Sequence, residues 1–367
     1  MPYLDANATQ ALRPAARAAL VTALEVTGNP SSVHQAGRAA RRIMEDSREV
    51  IARRFGARPE DLVFTSGGTE ADALAIHAMR AHRRLIISAI EHDAVRSAAA
   101  GAAVVPVGAD GVADMAALDA LLGDGVPSLV CLMLANNETG VIQPAQQAAS
   151  ICRRHGAILH VDAVQAAGRM PVDLAALAAH SLAISSHKLG GPAGAGALLL
   201  APDAPFGTAL IAGGGQERGR RGGTPPVALF AGFAAAAVAG AEDDLARVAG
   251  LRDAAERAAV AAGAVVCGDP ARRLPNTTCL ALPGVRADAQ VIAFDLEKIA
   301  VSAGAACSSG KVATSHVLQA MGLGPLAEQA IRVSLPWHVT QADIDAFAEA
   351  YPRVAARLRS PLATRAA

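Results

Sequence analysis

The amino-acid sequence predicts an α/β protein, a large unit on a mostly parallel seven-stranded sheet followed by a smaller α+β unit. Three observations predict it. Short apolar runs alternate with helical stretches through residues 62–201. The texture changes near residue 230, where alanine-rich helical sequence takes over. Polar and ionisable residues follow one apolar run after another. Strands spaced by helices need crossover connections, which are right-handed and bury a parallel sheet on both faces.

In chain order, LVFTS (62–66) reads as a strand that leads into a helix over 69–79. LIISAI (85–90), VVPV (104–107) and SLVCLML (128–134) read as the next three strands, with a helix over 144–155 after the last. AILHVDA (157–163), SLAISS (181–186) and GALLLA (196–201) complete seven. The glycine-rich stretch AGGGQERGRRGGTPP (212–226) is the most irregular segment. Residues 227–262 read as a long helical region, followed by TTCLALPG and VIAFDLEKIAVSAG as the smaller unit. From Gln341 onward, Ile344, Phe347, Tyr351 and Val354 recur at the spacing of an amphipathic helix.

Composition narrows the function. Lys+Arg and Asp+Glu are equal at 33 each and the pI is near 7.2, so no basic field exists to hold nucleic acid or an anionic membrane. A small neutral or zwitterionic substrate fits better. The longest apolar run, LFAGFAAAAVAGA (229–241), is shorter than the roughly 20 residues of a membrane span. The start, MPYLDANATQ, has no signal-peptide pattern. Five cysteines (131, 152, 267, 279, 307) form neither CxxC pairs nor zinc-like spacing. A cytoplasmic protein with reduced thiols and no metal is expected.

Ligands of open parallel sheets sit beyond the carboxyl ends of the strands. The residues expected there are Ser66-Gly67-Gly68-Thr69-Glu70, Glu91-His92, Asn136-Asn137-Glu138, Asp162 with Gln165, and Ser185-Ser186-His187-Lys188. Lys188 stands out by composition. The chain has three lysines (188, 298, 311), and every other basic residue of the 33 is arginine. A chain that uses arginine for its solvated cations does not need lysine for that purpose. A desolvated lysine can lose its proton and form a Schiff base, which arginine cannot. Gly67 and Gly68 before a helix suit an anion, although a plain strand-to-helix turn capped by Thr69 accounts for them equally. The pattern is neither a Walker loop nor GxGxxG, so a phosphate without a nucleotide is suggested. Asp162 at the end of an apolar strand needs a cationic partner, which a protonated pyridine supplies. Schiff-base lysine, anion nest and buried carboxylate together describe pyridoxal phosphate.

With these residues in place, the sequence resembles the cysteine desulfurases, class V aminotransferase-like enzymes of fold-type I. The resemblance runs through YLDANAT (3–9), GNPSSVHQAGRAAR (28–41), FTSGGTEADALAI (64–76), EHDAV (91–95), ANNETGVIQP (135–144), HVDAVQAAG (160–168), SSHKLGGPAGAGAL (185–198), GGGQERGRRGGTP (213–225), LPNTT (274–278), SAGAACSSG (302–310), SHVLQAMG (315–322) and IRVSL (331–335). It implies pyridoxal 5'-phosphate bound to Lys188, with Asp162 on the pyridine nitrogen, His92 stacked on the ring and active in proton transfer, and Gln165 on the ring hydroxyl. Gly68, Thr69, Ser185 and His187 would hold the phosphate, and Thr224 would reach the phosphate of the second subunit of a homodimer. Asn137 and Arg332 would hold the carboxylate of L-cysteine, Arg332 bidentately. The bland reading of Arg332 is a sheet cation paired with a carboxylate. Cys307, among small and polar neighbours, would take the sulfur as a persulfide and pass it to an acceptor protein, with an iron–sulfur scaffold the expected one. The segment after it resembles the subgroup with an extended cysteine loop; Lys311, four residues on, would favour the thiolate, although a solvated lysine accounts for it equally well. The other four cysteines read as small buried hydrophobes. The implied division is a large domain over 15–250 and a small domain made of 1–14 and 251–367.

Three departures from the family pattern stand out: Ala193 where a second lysine is usual, Ala305 before the Ala-Cys pair, and Pro336-Trp337 after IRVSL. Pro336-Trp337 bears on the substrate-side wall or an acceptor contact. The rival readings are a selenocysteine lyase, another reaction of the same superfamily such as transamination, and a non-enzymatic module that binds through 302–315. Cys307 separates the first reading from transamination, and Lys188 separates all the enzymes from the module.

Overall fold

The computed structural model describes residues 1–304 and 314–359. All seven expected strands form: β1 (Leu62–Thr65), β2 (Arg84–Ser88), β3 (Ala103–Val105), β4 (Ser128–Met133), β5 (Ile158–Asp162), β6 (Ser181–Ser185) and β7 (Gly196–Leu200). They make one sheet in the order β1-β7-β6-β5-β4-β2-β3. The β2–β3, β2–β4, β4–β5 and β5–β6 pairs are parallel, and β7 runs antiparallel to both neighbours.

Both faces of the sheet are covered, which is why its strands read as unbroken apolar runs rather than alternations. Successive side chains point to opposite faces. On one side Phe64, Leu132, Val161, Leu182 and Ile184 join a core with the helices Gln35–Arg54, Ala145–Arg154 and Val227–Ala239. Phe64 stacks on Phe230 of the last helix with ring centroids 3.8 Å apart. On the other side Val63, Cys131 and Ala183 pack with Leu74, Ile76 and Met79 of the helix Gly68–Met79.

The region 227–262 is two helices, not one. Val227–Ala239 ends at Gly240, and Leu245–Ala261 starts afresh with the Asp244 side chain accepting from the Arg247 N–H. The acidic pair Asp243-Asp244 breaks the run because an aspartate side chain competes for backbone donors and so favours a cap over a helix interior. The second helix belongs to the smaller unit. There β8 (Val265–Val266), β9 (Thr277–Ala281) and β10 (Ala330–Ser334) form an antiparallel sheet in the order β10-β9-β8. Its own core contains Phe294, Phe347 and Tyr351, the latter two from the expected C-terminal helix, Gln341–Arg359.

The N-terminal segment ties the two units together. Ala6 N–H donates to Ser334 O and Ser334 N–H to Leu4 O, so residues 4–6 extend the small sheet beyond β10. Gln10 and Arg13 then donate backbone N–H groups to His187 O and Gly190 O of the large unit. Gly190 has φ of +82°, and a side chain there would meet Arg13 Cγ at 2.8 Å, so only glycine lets the two segments lie this close. Trp337, one of the sequence departures, donates Nε1–H to Ala11 O and lies under the Arg13 guanidinium. It thus locks the N-terminal segment rather than walling the cavity described below.

The glycine-rich loop is anchored despite its irregular backbone. Glu217, with φ of +48°, accepts from both terminal nitrogens of Arg48 at 2.8 and 2.7 Å and from the Phe64 N–H. Both side chains are almost wholly buried. Removing one partner of such a pair strands the other charge, so Arg48→Met is expected to cost about 3–5 kcal/mol, read as a lower urea midpoint. Arg48→Met combined with Glu217→Met should recover most of that loss.

Candidate active site

A cavity of about 250 Å³ opens at the carboxyl ends of the parallel strands. Gly68, Thr69, His92, Asn137, Asp162, Gln165, Ser185, His187 and Lys188 all line it. A larger cleft of about 740 Å³ lies at the opposite, amino ends of β5 and β6, between Arg153, Ala157 and His180. None of the expected site residues borders that cleft.

The helix Gly68–Met79 points its first turn into the smaller cavity. Its N-cap is Gly67, which offers no side-chain cap, and Thr69 sits inside the first turn instead of capping it. The turn's backbone N–H groups therefore lack a side-chain acceptor of the N-cap type, as an anion site requires. A side chain at Gly68 would meet Val164 Cγ2 at 2.6 Å, so the glycine lets this turn sit against the segment after β5. Ser185 and His187 flank the same end, with His187 Nδ1 3.2 Å from Thr9 Oγ1. Burial and the charges of Lys188 and Arg169 push the His187 imidazole down to about 4, so it is neutral at pH 7.

Asp162 closes the other end. Its Oδ1 accepts from the Val164 N–H at 2.8 Å, and among the described residues it has no ion pair. Burial raises the carboxyl's pKa, while the Val164 N–H, His92 and Lys188 oppose the rise. Behind it lies a polar layer. Asp72, which also lines the cavity, is 3.1 Å from His160 Nε2, and His160 Nδ1 is 2.8 Å from Ser181 Oγ. His160 precedes Asp162 by two residues, so both project from the same face of β5. Burial pushes His160 down to about 3. Glu91 is also fully buried, accepting from Ser88 Oγ and Met133 N–H, and burial pushes it up to about 8.

His92 caps the helix Asp93–Ala98, accepting from Ala94 N–H through Nδ1. That contact fixes the ring and leaves Nε2 as the protonated nitrogen of the neutral form. Asn136 holds the turn beneath the site, bonding Ile90 O, Glu138 N–H and Thr139 N–H, while Asn137 lines the cavity.

Lys188 is half-buried. Its Nζ donates to Asn7 O at 2.5 Å and to Ala8 O at 2.9 Å. Burial, then the charges of Arg169 and Arg332, push the amine down to about 7 against the opposing pull of Asp5 and Asp162. Gln165 Nε2 shares Asn7 O at 3.0 Å, and its Oε1 accepts from Arg169. Arginine only donates and a carbonyl only accepts, so this amide has one orientation, with its second N–H left for the cavity.

Arg332 does not border the cavity. Its guanidinium donates to Asp5 Oδ1 at 2.7 Å and to Asn137 O at 3.0 Å, the paired-cation arrangement that is the bland reading of such a residue. Its contact with Asn137 still places it one residue from the lining. Thr224 is exposed on the glycine-rich loop, apart from the cavity. Arg221 of that loop pairs with Glu70 at 2.8 Å, beside Thr69. Cys131, Cys152, Cys267 and Cys279 are buried as expected. Cys307, Lys311 and Ala305 lie outside the described residues.

Asn7, Asp72, His160 and Arg169 carry no site role in the sequence reading, and Glu91 is expected at a strand end without an assigned role. The two-residue spacing of His160 and Asp162 was the available signal for one of them. Nothing local marks Asn7, whose side chain bridges Asn137 O, Thr277 and Asn276.

Comparison with known proteins agrees with this architecture. Residues 2–347 match the family model for class V aminotransferases. A cysteine desulfurase of Cereibacter sphaeroides is 41% identical over 98% of this chain and 96% of its own. An IscS-like cysteine desulfurase of Mycobacterium tuberculosis is 39% identical over 98% and 97%. The X-ray structure of a NifS-like protein from Rickettsia africae superposes with a TM-score of 0.89 at 34% identity, covering 96% of this chain and 99% of that one. The chain belongs to the class V aminotransferases and, within them, to the cysteine desulfurase family.

The cavity fits the pyridoxal phosphate that this family uses. A carboxylate without an ion pair suits a protonated ring nitrogen, an uncapped helix turn suits a phosphate, and an amine near pH 7 suits an aldehyde.

The buried acids give a pH test. Glu91 stays protonated in the folded chain up to about pH 8 but ionises near 4.5 when unfolded, so it contributes full stability below 4.5 and loses it as pH rises to 8. Glu91→Gln should therefore flatten the fall in folding stability between those limits, measured as urea midpoints at pH 5, 6.5 and 8. An unchanged slope would remove Glu91 from the explanation.

Proposed function

We propose that this protein is a pyridoxal-phosphate-dependent cysteine desulfurase that takes sulfur from L-cysteine, leaves L-alanine and holds the sulfur as a persulfide on Cys307. The observation that carries the reading is the meeting of Lys188, Asp162 and the uncapped turn Gly67-Gly68-Thr69 in one cavity. When bound, the cofactor withdraws electrons from the substrate carbon skeleton.

The residues divide the remaining work. Lys188 would hold the cofactor through its aldehyde, and its amine is the base placed to take a proton from the substrate. Asp162 would hold the pyridine nitrogen, and Gln165 would donate to the ring hydroxyl. Gly68, Thr69, Ser185 and His187 would hold the phosphate, with Thr224 serving the second subunit of a homodimer. His92, which lines the cavity, would pack against the cofactor ring with its Nε2–H available for proton transfer. Asn137 and Arg332 receive the substrate carboxylate, which requires Arg332 to exchange Asp5 for the substrate. Cys307 thiolate bonds to the substrate sulfur as the carbon–sulfur bond breaks. The electron pair goes to the carbon, which takes a proton and leaves as alanine.

The domain division at 15–250 against 1–14 with 251–367 is supported by the separate cores and by the N-terminal segment extending the small sheet, except that Val248, in the helix Leu245–Ala261, packs in the small core and moves the boundary to the Asp243-Asp244 break. No helix among the described residues is long and apolar enough to cross a membrane. A cytoplasmic site and delivery to an iron–sulfur scaffold complete the proposal. A relative named NifS, from Azotobacter vinelandii and 37% identical, supports the reaction class.

Loaded with pyridoxal phosphate, the protein should show a visible absorption band that Lys188→Ala abolishes. Cys307→Ser should keep the band and lose sulfide release from L-cysteine with a thiol reductant present, by at least about 100-fold, the scale on which loss of a catalytic nucleophile is read. Sulfide release at the wild-type rate would exclude Cys307 as the acceptor of sulfur.

A further inference from the structure

Arg169 is a buried arginine with no carboxylate. It is 4% exposed, and no ion pair forms to it among the described residues. One terminal nitrogen donates to Gln165 O at 2.9 Å and to Gln165 Oε1. The other donates to Ala6 O at 3.1 Å and Lys188 O at 3.4 Å, and Nε has no partner. Four neutral acceptors solvate this cation without cancelling its charge. A buried charge is normally paired, since several kcal/mol of desolvation, on the order found for buried ions, is otherwise uncompensated. The fold tolerates one here, on the backbone segment that also seats the Lys188 amine.

We propose that Arg169 is a positioning residue for Lys188, its buried, unpaired guanidinium held against the Lys188 carbonyl and Ala6 O so that its charge bears on the lysine amine.

The other charges around Lys188 leave this task to Arg169. Asp162 and Asp5 pull toward the ammonium form. Asp5 is engaged by Arg332, so the two largely offset one another. His187 is neutral at pH 7 and adds no charge. Asn7 O and Ala8 O favour the ammonium, since both accept from Nζ. Burial and Arg169 oppose them. Burial does not change when one side chain is replaced by another of its size, whereas the charge does. Arg169 itself is lowered only to about 9 by burial and Arg332, so it remains charged at pH 7. Its contact with the Lys188 carbonyl holds it at a fixed place relative to the lysine backbone.

The inference rests on Lys188 being the cofactor amine, and its test is independent of catalysis. Three lysines make the side-chain signals of a ¹³C-lysine-labelled full-length chain simple to assign, Lys188 being the one lost in Lys188→Gln. Titrated before cofactor loading, wild-type Lys188 should have its midpoint near 7. Arg169→Met and Arg169→Gln should each raise it by about one unit or more, a tenfold change in proton affinity. Arg169→Lys, which keeps the charge, should restore it to within about half that shift. An unchanged midpoint in the neutral variants overturns the inference, as does a rise in Arg169→Lys equal to theirs. If the neutral variants do not fold, Arg169→Lys decides alone, a midpoint near the wild-type value supporting the inference and one above 9 overturning it. Loading the same samples with pyridoxal phosphate separates the two readings. A wild-type chain that titrates as expected but gains no visible band contradicts the assigned cofactor, not the role of Arg169.

Discussion

Three consecutive backbone carbonyls, those of Ala6, Asn7 and Ala8, are the constraint on which the site depends. Arg169 takes the first, Gln165 and Lys188 share the second, and Lys188 takes the third. Residues 4–6 pair with β10, and a turn closed by the Ala8 N–H on Asp5 O follows directly, so the pairing fixes where these carbonyls point. The small sheet thus sets where the lysine amine stands in the large unit. Residues 187–190, Gly190 and Trp337 hold the same segment from the other side. The cavity is a property of both units, although almost all of its lining comes from one.

Electrostatics follow from that seat. The layer beneath the cavity holds Asp72, Glu91 and Asp162, all buried, and burial raises the proton affinity of each. The layer beside Lys188 holds Arg169 and Arg332, whose charges lower the proton affinity of the amine. Opposite shifts on neighbouring groups are the arrangement that separates acid from base in an active site. A cationic ring nitrogen suits the acidic end and a phosphate suits the helix turn, with an amine of lowered proton affinity between them.

Much of this was legible in the chain. The seven strands were, because a sheet buried on both faces leaves uninterrupted apolar runs, and the polar residues at their carboxyl ends followed from topology. Lys188 was legible from composition, being one of three lysines among many arginines. The helical region over 227–262 is legible too, but its division into two helices is not, because alanine content hides the aspartate cap at Asp244. Arg332 illustrates a different limit. Its family pattern suggests a substrate ligand, while the structure pairs it with Asp5, a contact made across 327 residues that no local pattern shows. Asn7 and Arg169 were missed for the same reason, since their importance lies in contacts with distant backbone.

The account turns on Lys188 being the one amine that the fold makes reactive. Reduction of the pyridoxal-phosphate-loaded protein with borohydride, followed by peptide mapping, measures this directly. The pyridoxyl mass should fall on the peptide that contains Lys188 and leave Lys298 and Lys311 unmodified. Label on either of those lysines in place of Lys188, or no label on any peptide, would contradict the account.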